Sequence, residues 1–292
     1  MKRSSQFIVV GILAFLSLAL LNESKGQTLE GKYPLFIFSN AFQQPGEQAV
    51  SLAKQAEWLR HYGYAGIEYN DPATILAGKK IFAEEGVKIF TSYVSVTIDD
   101  APFYDARWHD IIPHFANQDW IIWVNVRSQR FDPSDPAADE RVVAILSELA
   151  ATAQAHGIRI ALYPHYGFLV ETPSDAYRIA EKIDRPNVGV TFNLCHFLKT
   201  DDAQNIENSL RQILPKLFVV SVSGAEAGAT RRMGWDQLIQ PLGKGSFSVL
   251  EFVRMLKKLG YRGAIGQQCY GIELPPEQLL RESSRAWKVL TE

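Results

Sequence analysis

The sequence contains few cysteines, no marked excess of charge of one sign and no apolar run long enough to cross a bilayer. Two of its 292 residues are cysteine, and an exported chain could oxidise Cys195 and Cys269 to a disulfide, although we expect two separate, partly buried thiols. The formal net charge of −2 gives no electrostatic footprint for nucleic acid or acidic membranes. The main apolar run, from Phe7 to Leu21, is shorter than the roughly 20 residues of a membrane-spanning helix.

The N-terminal segment has the three parts of a secretory signal peptide. Lys2 and Arg3 precede the apolar run, and the small residues Ser24 and Gly26 follow it. We therefore predict a signal peptide over residues 1–26, no stable membrane anchor, and export to the periplasm or the extracellular space. An uncleaved membrane anchor is the alternative interpretation. Cleavage removes more basic than acidic side chains, so the mature chain is more acidic, which argues further against a nucleic-acid partner.

Residues 27–292 contain no low-complexity linker and read as one domain. Short apolar, β-branched runs alternate with longer stretches whose apolar residues recur at steps of three and four. The first pattern predicts eight strands, at 35–39, 65–69, 88–96, 120–126, 159–165, 188–193, 217–223 and 264–269. The second predicts eight helices, near 47–62, 74–86, 105–117, 136–156, 174–183, 203–214, 247–259 and 275–290.

Eight alternating strands and helices predict an α/β fold of the (β/α)8 TIM barrel type, with a doubly wound sheet as the main alternative. In a TIM barrel the functional residues lie at the carboxyl ends of the strands, in the loops that lead to the helices. The longest such loop, 224–246, follows the seventh strand and is typical of a lid or binding loop.

Four segments carry a resemblance to a known family: GYAGIE (63–68), PNVGVTFNLCH (186–196), PLGKGSFS (241–248) and GYRGAIGQQ (260–268). In this order and at barrel spacing they resemble the xylose isomerase-like barrel superfamily, which includes sugar 3-epimerases, hydroxypyruvate isomerase, inosose dehydratase and endonuclease IV. The resemblance is clearest from residue 157 onward. It implies a TIM barrel and a sugar-like substrate.

The resemblance also implies a divalent metal held by Glu, Asp, His and Glu on the fifth to eighth strands. At those positions this sequence has Tyr163, Asn193, Ser221 and Gln268. Neutral side chains are poor ligands for a divalent cation, which favours carboxylate or imidazole. We therefore expect no cofactor and no tightly held metal at the usual family site.

Two histidines lie where the predicted strands end. His165 ends the fifth predicted strand and His196 is the last residue of the second motif. Imidazole titrates near neutral pH, which suits proton transfer. Glu68 ends the second strand, where the family uses a Glu to position substrate or site residues. These three side chains are the predicted catalytic residues, against the alternative that each is an ordinary surface or core residue.

Other polar and aromatic side chains near the predicted strand ends would bind substrate. Tyr163, Asn193 and Gln268 are predicted to hydrogen-bond sugar hydroxyls, and Trp235 to contact the ligand from the long loop. Arg127 and Arg130 follow the fourth strand and would either anchor a carboxylate or phosphate or form a solvated loop face. Rings that could stack on a sugar are Phe38, Tyr69, Tyr93, Tyr166, Trp235 and Tyr270.

Two functions remain in competition. The first is an exported enzyme that removes a proton next to a carbonyl of a small carbohydrate, with isomerase, epimerase or keto-sugar lyase chemistry. The second is a non-catalytic carbohydrate-binding relative that has lost the metal site. Metal-dependent phosphoester hydrolysis, as in the endonuclease branch, is disfavoured by the missing ligands and the acidic charge. The expected partner is a small-molecule carbohydrate, and a homo-oligomer is left open.

Overall fold

The computed structural model describes residues 33–43 and 49–291. The predicted signal peptide, 1–26, lies outside the described residues. Eight strands form a closed parallel barrel in chain order, which confirms the TIM barrel and excludes the doubly wound sheet. The strands are β1 Leu35–Phe38, β2 Gly66–Glu68, β3 Lys88–Thr97, β4 Ile121–Arg127, β5 Arg159–Leu162, β6 Val188–Asn193, β7 Leu217–Val222 and β8 Ile265–Gln267.

The helices lie between the strands and pack around the barrel. They are α1 Leu52–Tyr62, α2 Ile75–Glu84, α3 Arg107–Ile111, α4 Asp139–Ala155, α5 Pro173–Ile183, α6 Leu194–Thr200, α7 Ile206–Ile213, α8 Trp235–Leu238, α9 Val249–Lys258 and α10 Pro276–Thr291. Within the described part of the chain, none of these helices is both long and apolar enough to cross a membrane.

The fifth strand, predicted to reach His165, ends at Leu162. Three further elements differ from the sequence-based expectation. The helix predicted over 105–117 breaks at Ile111 and continues as a 3-10 turn, because Pro113 has no N–H to donate to a helical carbonyl. Two short helices, α6 and α8, were not predicted. At seven and four residues they are too short to show a helical period.

Aromatic side chains fill the interior of the barrel. Phe36, Phe38, Trp123 and Tyr163 form one buried cluster there. Glycines on the inward face leave space for such rings: a Cβ added at Gly266 would lie 2.6 Å from the ring of Phe36. The packed rings close the barrel interior, so the space available to a ligand lies at the carboxyl ends of the strands.

Candidate functional site

A cavity of about 440 Å³ opens where the strands end. Its lining side chains come from the strand ends and the following loops: Phe38, Asn40, Gln43, Glu68, Asn70, Tyr93, Arg127, Tyr163, His165, His196, Trp235, Ile239, Gln268 and Tyr270. The volume and the mixture of aromatic and hydrogen-bonding groups are those of a small-molecule site.

The structure brings most of the predicted site residues to this cavity. All three predicted catalytic residues line it, together with four of the five predicted binding residues, Tyr163, Gln268, Trp235 and Arg127. Asn193 does not belong to the lining; it is buried at the end of β6, where Cys195 Sγ donates to its Oδ1 at 3.3 Å. Direct contact between Asn193 and a ligand therefore stays a prediction.

The two cavity histidines lie against each other. The ring centroids of His165 and His196 are 4.0 Å apart. His196 is the third residue of α6, and this short helix, which begins directly after β6, carries the imidazole to the cavity wall. His165 follows β5 and stacks on Phe168, with ring centroids 3.8 Å apart.

The backbone of one residue, Tyr166, contacts both imidazoles. Its N–H donates to His196 Nδ1 at 3.2 Å, and its carbonyl oxygen lies 2.8 Å from His165 Nδ1. An amide N–H can only donate and a carbonyl can only accept. His196 Nδ1 is therefore unprotonated, and His165 Nδ1 carries a hydrogen. In the neutral rings, His165 Nε2 is left with a lone pair and His196 Nε2 is left with a hydrogen.

Burial keeps both rings neutral. It lowers the pKa of His165 to about 4, with a smaller opposing effect from the Tyr166 carbonyl. Burial, reinforced by His165, holds the pKa of His196 well below its usual range. At neutral pH the pair therefore presents one base, His165 Nε2, and one neutral donor, His196 Nε2–H.

Glu68 is the single carboxylate among the described lining residues. Its Oε2 accepts from the backbone N–H and the hydroxyl of Ser39, both at 2.9 Å. Burial raises the pKa of Glu68, although hydrogen bonds from Ser39 and Asn70 oppose this effect. The carboxyl group is thus held in a fixed position and is easier to protonate than an exposed Glu.

Gln267 and Gln268 point in opposite directions, as the alternation of a strand requires. Gln267 is fully buried on the helix side, where it accepts from Tyr64 and donates to Ser283. Gln268 lines the cavity. Its side chain also hydrogen-bonds Tyr163, whose pKa is nevertheless raised well above its usual range by burial, so the phenol keeps its proton.

The four positions of the family's metal ligands do not suit a cation here. Gln268 Oε1 already accepts from Asn40 Nδ2 at 2.8 Å and from the backbone N–H groups of Cys269 and Tyr270. Asn193 and Ser221 are buried, and the unpartnered atom of Asn193 is Nδ2, which is a donor. No group of three or more His, Cys, Asp or Glu side chains able to hold a metal occurs in the described residues.

The loop over 224–246 forms one side of the cavity. Trp235 begins α8 and packs edge-on against His196, with ring centroids 5.1 Å apart. Lys199 on α6 donates to the carbonyl of Met233 and lies over the Trp235 ring. The loop therefore contacts the site as predicted: its Trp235 lines the cavity and packs against the catalytic candidate His196.

Four lining residues were not predicted from the sequence: Asn40, Gln43, Asn70 and Ile239. Asn40 and Asn70 are polar and follow a strand by two residues, after β1 and β2. A polar residue just after a strand could have been predicted to line the site. Neither Asn40 nor Asn70, however, belongs to the four segments that resemble the family. Arg130 and Tyr69, in contrast, lie outside the lining. Arg130 pairs with Asp100 at 2.7 Å, on a solvated loop face.

The family model of the xylose isomerase-like TIM barrel matches residues 56–290. The chain belongs to this family. An inosose isomerase of Halalkalibacterium halodurans is 26% identical over 130 residues, which are 44% of this chain and 45% of that protein. The chain thus spans less than half the length of this curated relative.

Solved structures share the xylose isomerase-like fold over most of the chain. A 3-keto-D-glucoside 4-epimerase from E. coli has a TM-score of 0.69 at 17% identity and covers 88% of this chain and 100% of its own. A D-psicose 3-epimerase from Clostridium cellulolyticum, solved with D-tagatose, has a TM-score of 0.65 at 15% identity and covers 88% of this chain and 98% of its own. At these identities the likeness establishes the fold alone.

Proposed function

We propose that this protein is an isomerase or epimerase of a small keto-carbohydrate that works by proton transfer next to the carbonyl group. The observation that carries the proposal is the complementary pair of neutral histidines in the cavity, one a base and one a donor at Nε2. The names of the inosose isomerase and the two epimerases support the same reaction class.

The first step is removal of a proton from the carbon beside the carbonyl by His165 Nε2. The C–H electron pair forms a carbon–carbon double bond, and the carbonyl oxygen becomes an oxyanion. The Nε2–H of His196 and the hydroxyl of Tyr163 are the donors available to this oxygen. Donors held in position before the reaction stabilise such an oxyanion without reorganisation.

The second step returns a proton. For an isomerisation, the hydroxyl on the deprotonated carbon passes its proton to the oxyanion, and the His165 imidazolium returns its proton to the former carbonyl carbon. The carbonyl group then stands on the neighbouring carbon. Return from a protonated Glu68 to the opposite face of the deprotonated carbon completes an epimerisation and leaves His165 protonated for exchange with solvent. Glu68 and His165 follow strands three places apart around the barrel, β2 and β5, which supports access to two faces of a ligand between them.

The test is exchange of substrate protons with solvent. An inosose, a 3-keto-D-glucoside and D-psicose are incubated with the protein in D2O, and loss of the C–H signals beside each carbonyl is followed by proton NMR. We expect exchange with at least one sugar and its loss in His165→Asn. His156→Asn is the matched control, because His156 directly follows α4, lies outside the cavity lining, and its side chain bonds to the Thr152 carbonyl. Exchange that survives in His165→Asn would remove this residue as the base.

The second candidate is a carbohydrate-binding protein without turnover. The observation that favours it is the replacement of all four family ligand positions by Tyr163, Asn193, Ser221 and Gln268. It predicts saturable binding of a saccharide with no solvent exchange at any carbon. The same NMR samples separate the two candidates, because line broadening of a sugar without loss of signal reports binding alone.

We further propose that the protein works without a resident metal. The occupied Oε1 of Gln268 and the neutral side chains at the neighbouring strand ends support this. Metal analysis of the purified protein should find less than stoichiometric divalent ion, and solvent exchange should persist in EDTA. A stoichiometric ion whose removal stops exchange would contradict the proposal.

Export to the periplasm or the extracellular space is also proposed, on the composition of residues 1–26 alone. The test is fractionation of cells that express the full chain, followed by N-terminal sequencing. A product that begins near Gln27 in the exported fraction is expected. A full-length product retained inside the cell would contradict export.

A further inference from the structure

We propose that the substrate carries a carboxylate, as a sugar acid does, and that the Arg127 guanidinium binds it. This inference rests on the proposed function of the same cavity and names the class of its substrate. The sequence does not distinguish Arg127 from Arg130 as an anion-binding residue, because both follow the fourth predicted strand. The structure separates the two arginines.

The Arg127 side chain is held in place at the cavity wall. Its Nε donates to Asn125 Oδ1 at 3.1 Å, and its guanidinium carbon lies 4.1 Å from the ring centroid of Phe168. Phe168 is also the residue on which His165 stacks. The guanidinium is therefore fixed beside the predicted base. It also hydrogen-bonds the side chain of Tyr93, and stacking leaves for a ligand the in-plane N–H donors that Asn125 and Tyr93 do not use.

No described carboxylate balances this charge. Arg127 forms no ion pair with any Asp or Glu of residues 33–43 or 49–291, whereas Arg130 pairs with Asp100. Glu68 is the one acidic side chain of the described lining, and it is bonded to Ser39. It ends β2, and β3 lies between that strand and β4, which carries Arg127. With both cavity histidines neutral, Arg127 is the positive charge that the described lining offers to an anion.

The ligand chemistry fits a carboxylate better than a phosphate. The planar fork of one guanidinium matches the two oxygens of a carboxylate. A phosphate with up to two charges is usually held by several donors, such as a glycine-rich loop, a helix N-terminus or a second basic group. The described lining contains one Arg and no Lys.

The distribution of polar groups around the cavity determines how the bound sugar is oriented. Glu68 ends β2, Asn40 and Gln268 follow β1 and β8, and these three side chains face the hydroxyl groups. Arg127 ends β4 and takes the carboxylate, next to His165, which follows β5. The carbon attacked by His165 would thus lie near the carboxylate end of the substrate.

The experiment compares matched sugars by isothermal titration calorimetry on the whole protein. D-Glucuronate is compared with D-glucose, D-galacturonate with D-galactose, and D-glucose 6-phosphate serves as the phosphate probe. The variants are Arg127→Gln, Arg127→Lys and Arg130→Gln, each checked for folding by circular dichroism. Arg130→Gln is the matched control, since it removes an equal charge three residues away.

We expect at least one hexuronate to bind roughly 10- to 100-fold more tightly than its neutral partner, the range expected for a charge-assisted hydrogen bond. Arg127→Gln should abolish the difference, Arg127→Lys should keep part of it, and Arg130→Gln should leave it unchanged. Equal binding of acids and neutral sugars, including no binding of either, overturns the proposal. Tighter binding of the phosphate than of glucuronate, or an equal loss in Arg130→Gln, also overturns it.

Calorimetry does not require turnover, so this proposal and the proposed reaction can fail separately. Acid binding that depends on Arg127, with no solvent exchange of any ligand, would retain the anchor and remove the enzymatic proposal. Exchange of a neutral keto-sugar, together with equal binding of acids and neutral sugars, would retain the reaction and overturn the carboxylate anchor.

Discussion

His165 and His196 lie with their ring centroids 4.0 Å apart, and the backbone N–H and carbonyl of a single residue, Tyr166, each bond to Nδ1 of one of them. The carbonyl fixes the hydrogen of one ring at Nδ1, and the N–H fixes the hydrogen of the other at Nε2. The backbone of Tyr166 therefore makes the His165 ring a base and the adjacent His196 ring a hydrogen-bond donor at Nε2. This arrangement supplies a base and a donor, and no acidic side chain of residues 33–43 or 49–291 forms an ion pair with either ring.

The acid limb of the pH–rate profile should lie far below the usual titration of histidine. With a pKa of about 4, His165 stays a neutral base while the pH falls through 6.5, where a free imidazole is half protonated. The value of kcat/KM should therefore hold through that range and fall as the pH approaches about 4. A half-maximal rate near pH 6.5 would contradict a buried, neutral His165.

The same lowered pKa makes the fold less stable in acid. Between about pH 6.5 and 4 the unfolded chain binds a proton at His165 that the folded chain does not, so the free energy of unfolding falls as the pH falls. Urea unfolding at pH 7 and at pH 5 should show a smaller decrease for His165→Asn than for the natural sequence. Equal decreases would show that His165 titrates normally in the folded protein.

His196 should act as a donor to the oxyanion rather than as a base. His196→Ala removes the Nε2–H and should lower kcat by about 10²–10³-fold with a smaller change in KM, as for other oxyanion donors. His196→Gln keeps an N–H donor on a side chain of similar reach and should recover part of the loss. If Gln and Ala variants are equally impaired across the pH range, the donor role is wrong.

The two cysteines should be unreactive thiols. Both are buried and free, and burial raises the pKa of Cys195 to about 12 and that of Cys269 well above its usual range. Iodoacetamide should label the native protein slowly at pH 8 and should label both thiols in denaturant without reductant. Rapid native labelling, or fewer than two thiols in denaturant, would contradict separate buried thiols.

The barrel should tolerate a methyl group poorly where it closes around its core. A Cβ at Gly189 would lie 2.4 Å from the Lys216 carbonyl and 2.6 Å from the Phe218 ring. Gly189→Ala should therefore cost about 1–3 kcal/mol or more in urea unfolding, as for other overpacked sites. Gly78→Ala in α2, where the nearest atom is 3.6 Å away, should instead stabilise by about 0.5–1 kcal/mol. Similar effects at both glycines would contradict the packing.

Much of the fold and part of the site could be predicted from the sequence. The predicted bounds of β6 agree with the structure, Val188–Asn193, because its β-branched and aromatic residues favour a strand. The positions of Glu68, His165 and Gln268 followed from the rule that function lies at carboxyl strand ends.

The remaining features depend on short elements that leave no periodic signal. The helix α6 turns His196 toward the cavity and encloses Asn193, and seven residues are too few to reveal it. The contact of both histidines with Tyr166 depends on a backbone turn after β5, where Gly167 takes a positive φ of 78°. The difference between Arg127 and Arg130 is set by Asp100, which lies on another loop.

The measurement that tests the central claim most directly is proton NMR of the three keto-sugars in D2O with the natural protein, His165→Asn and His156→Asn. Our account predicts loss of the C–H signal beside the carbonyl of at least one sugar with the natural protein and with His156→Asn, and at least a 100-fold slower loss with His165→Asn. Full retention of every C–H signal while a sugar binds in the cavity would contradict proton transfer and leave a binding protein.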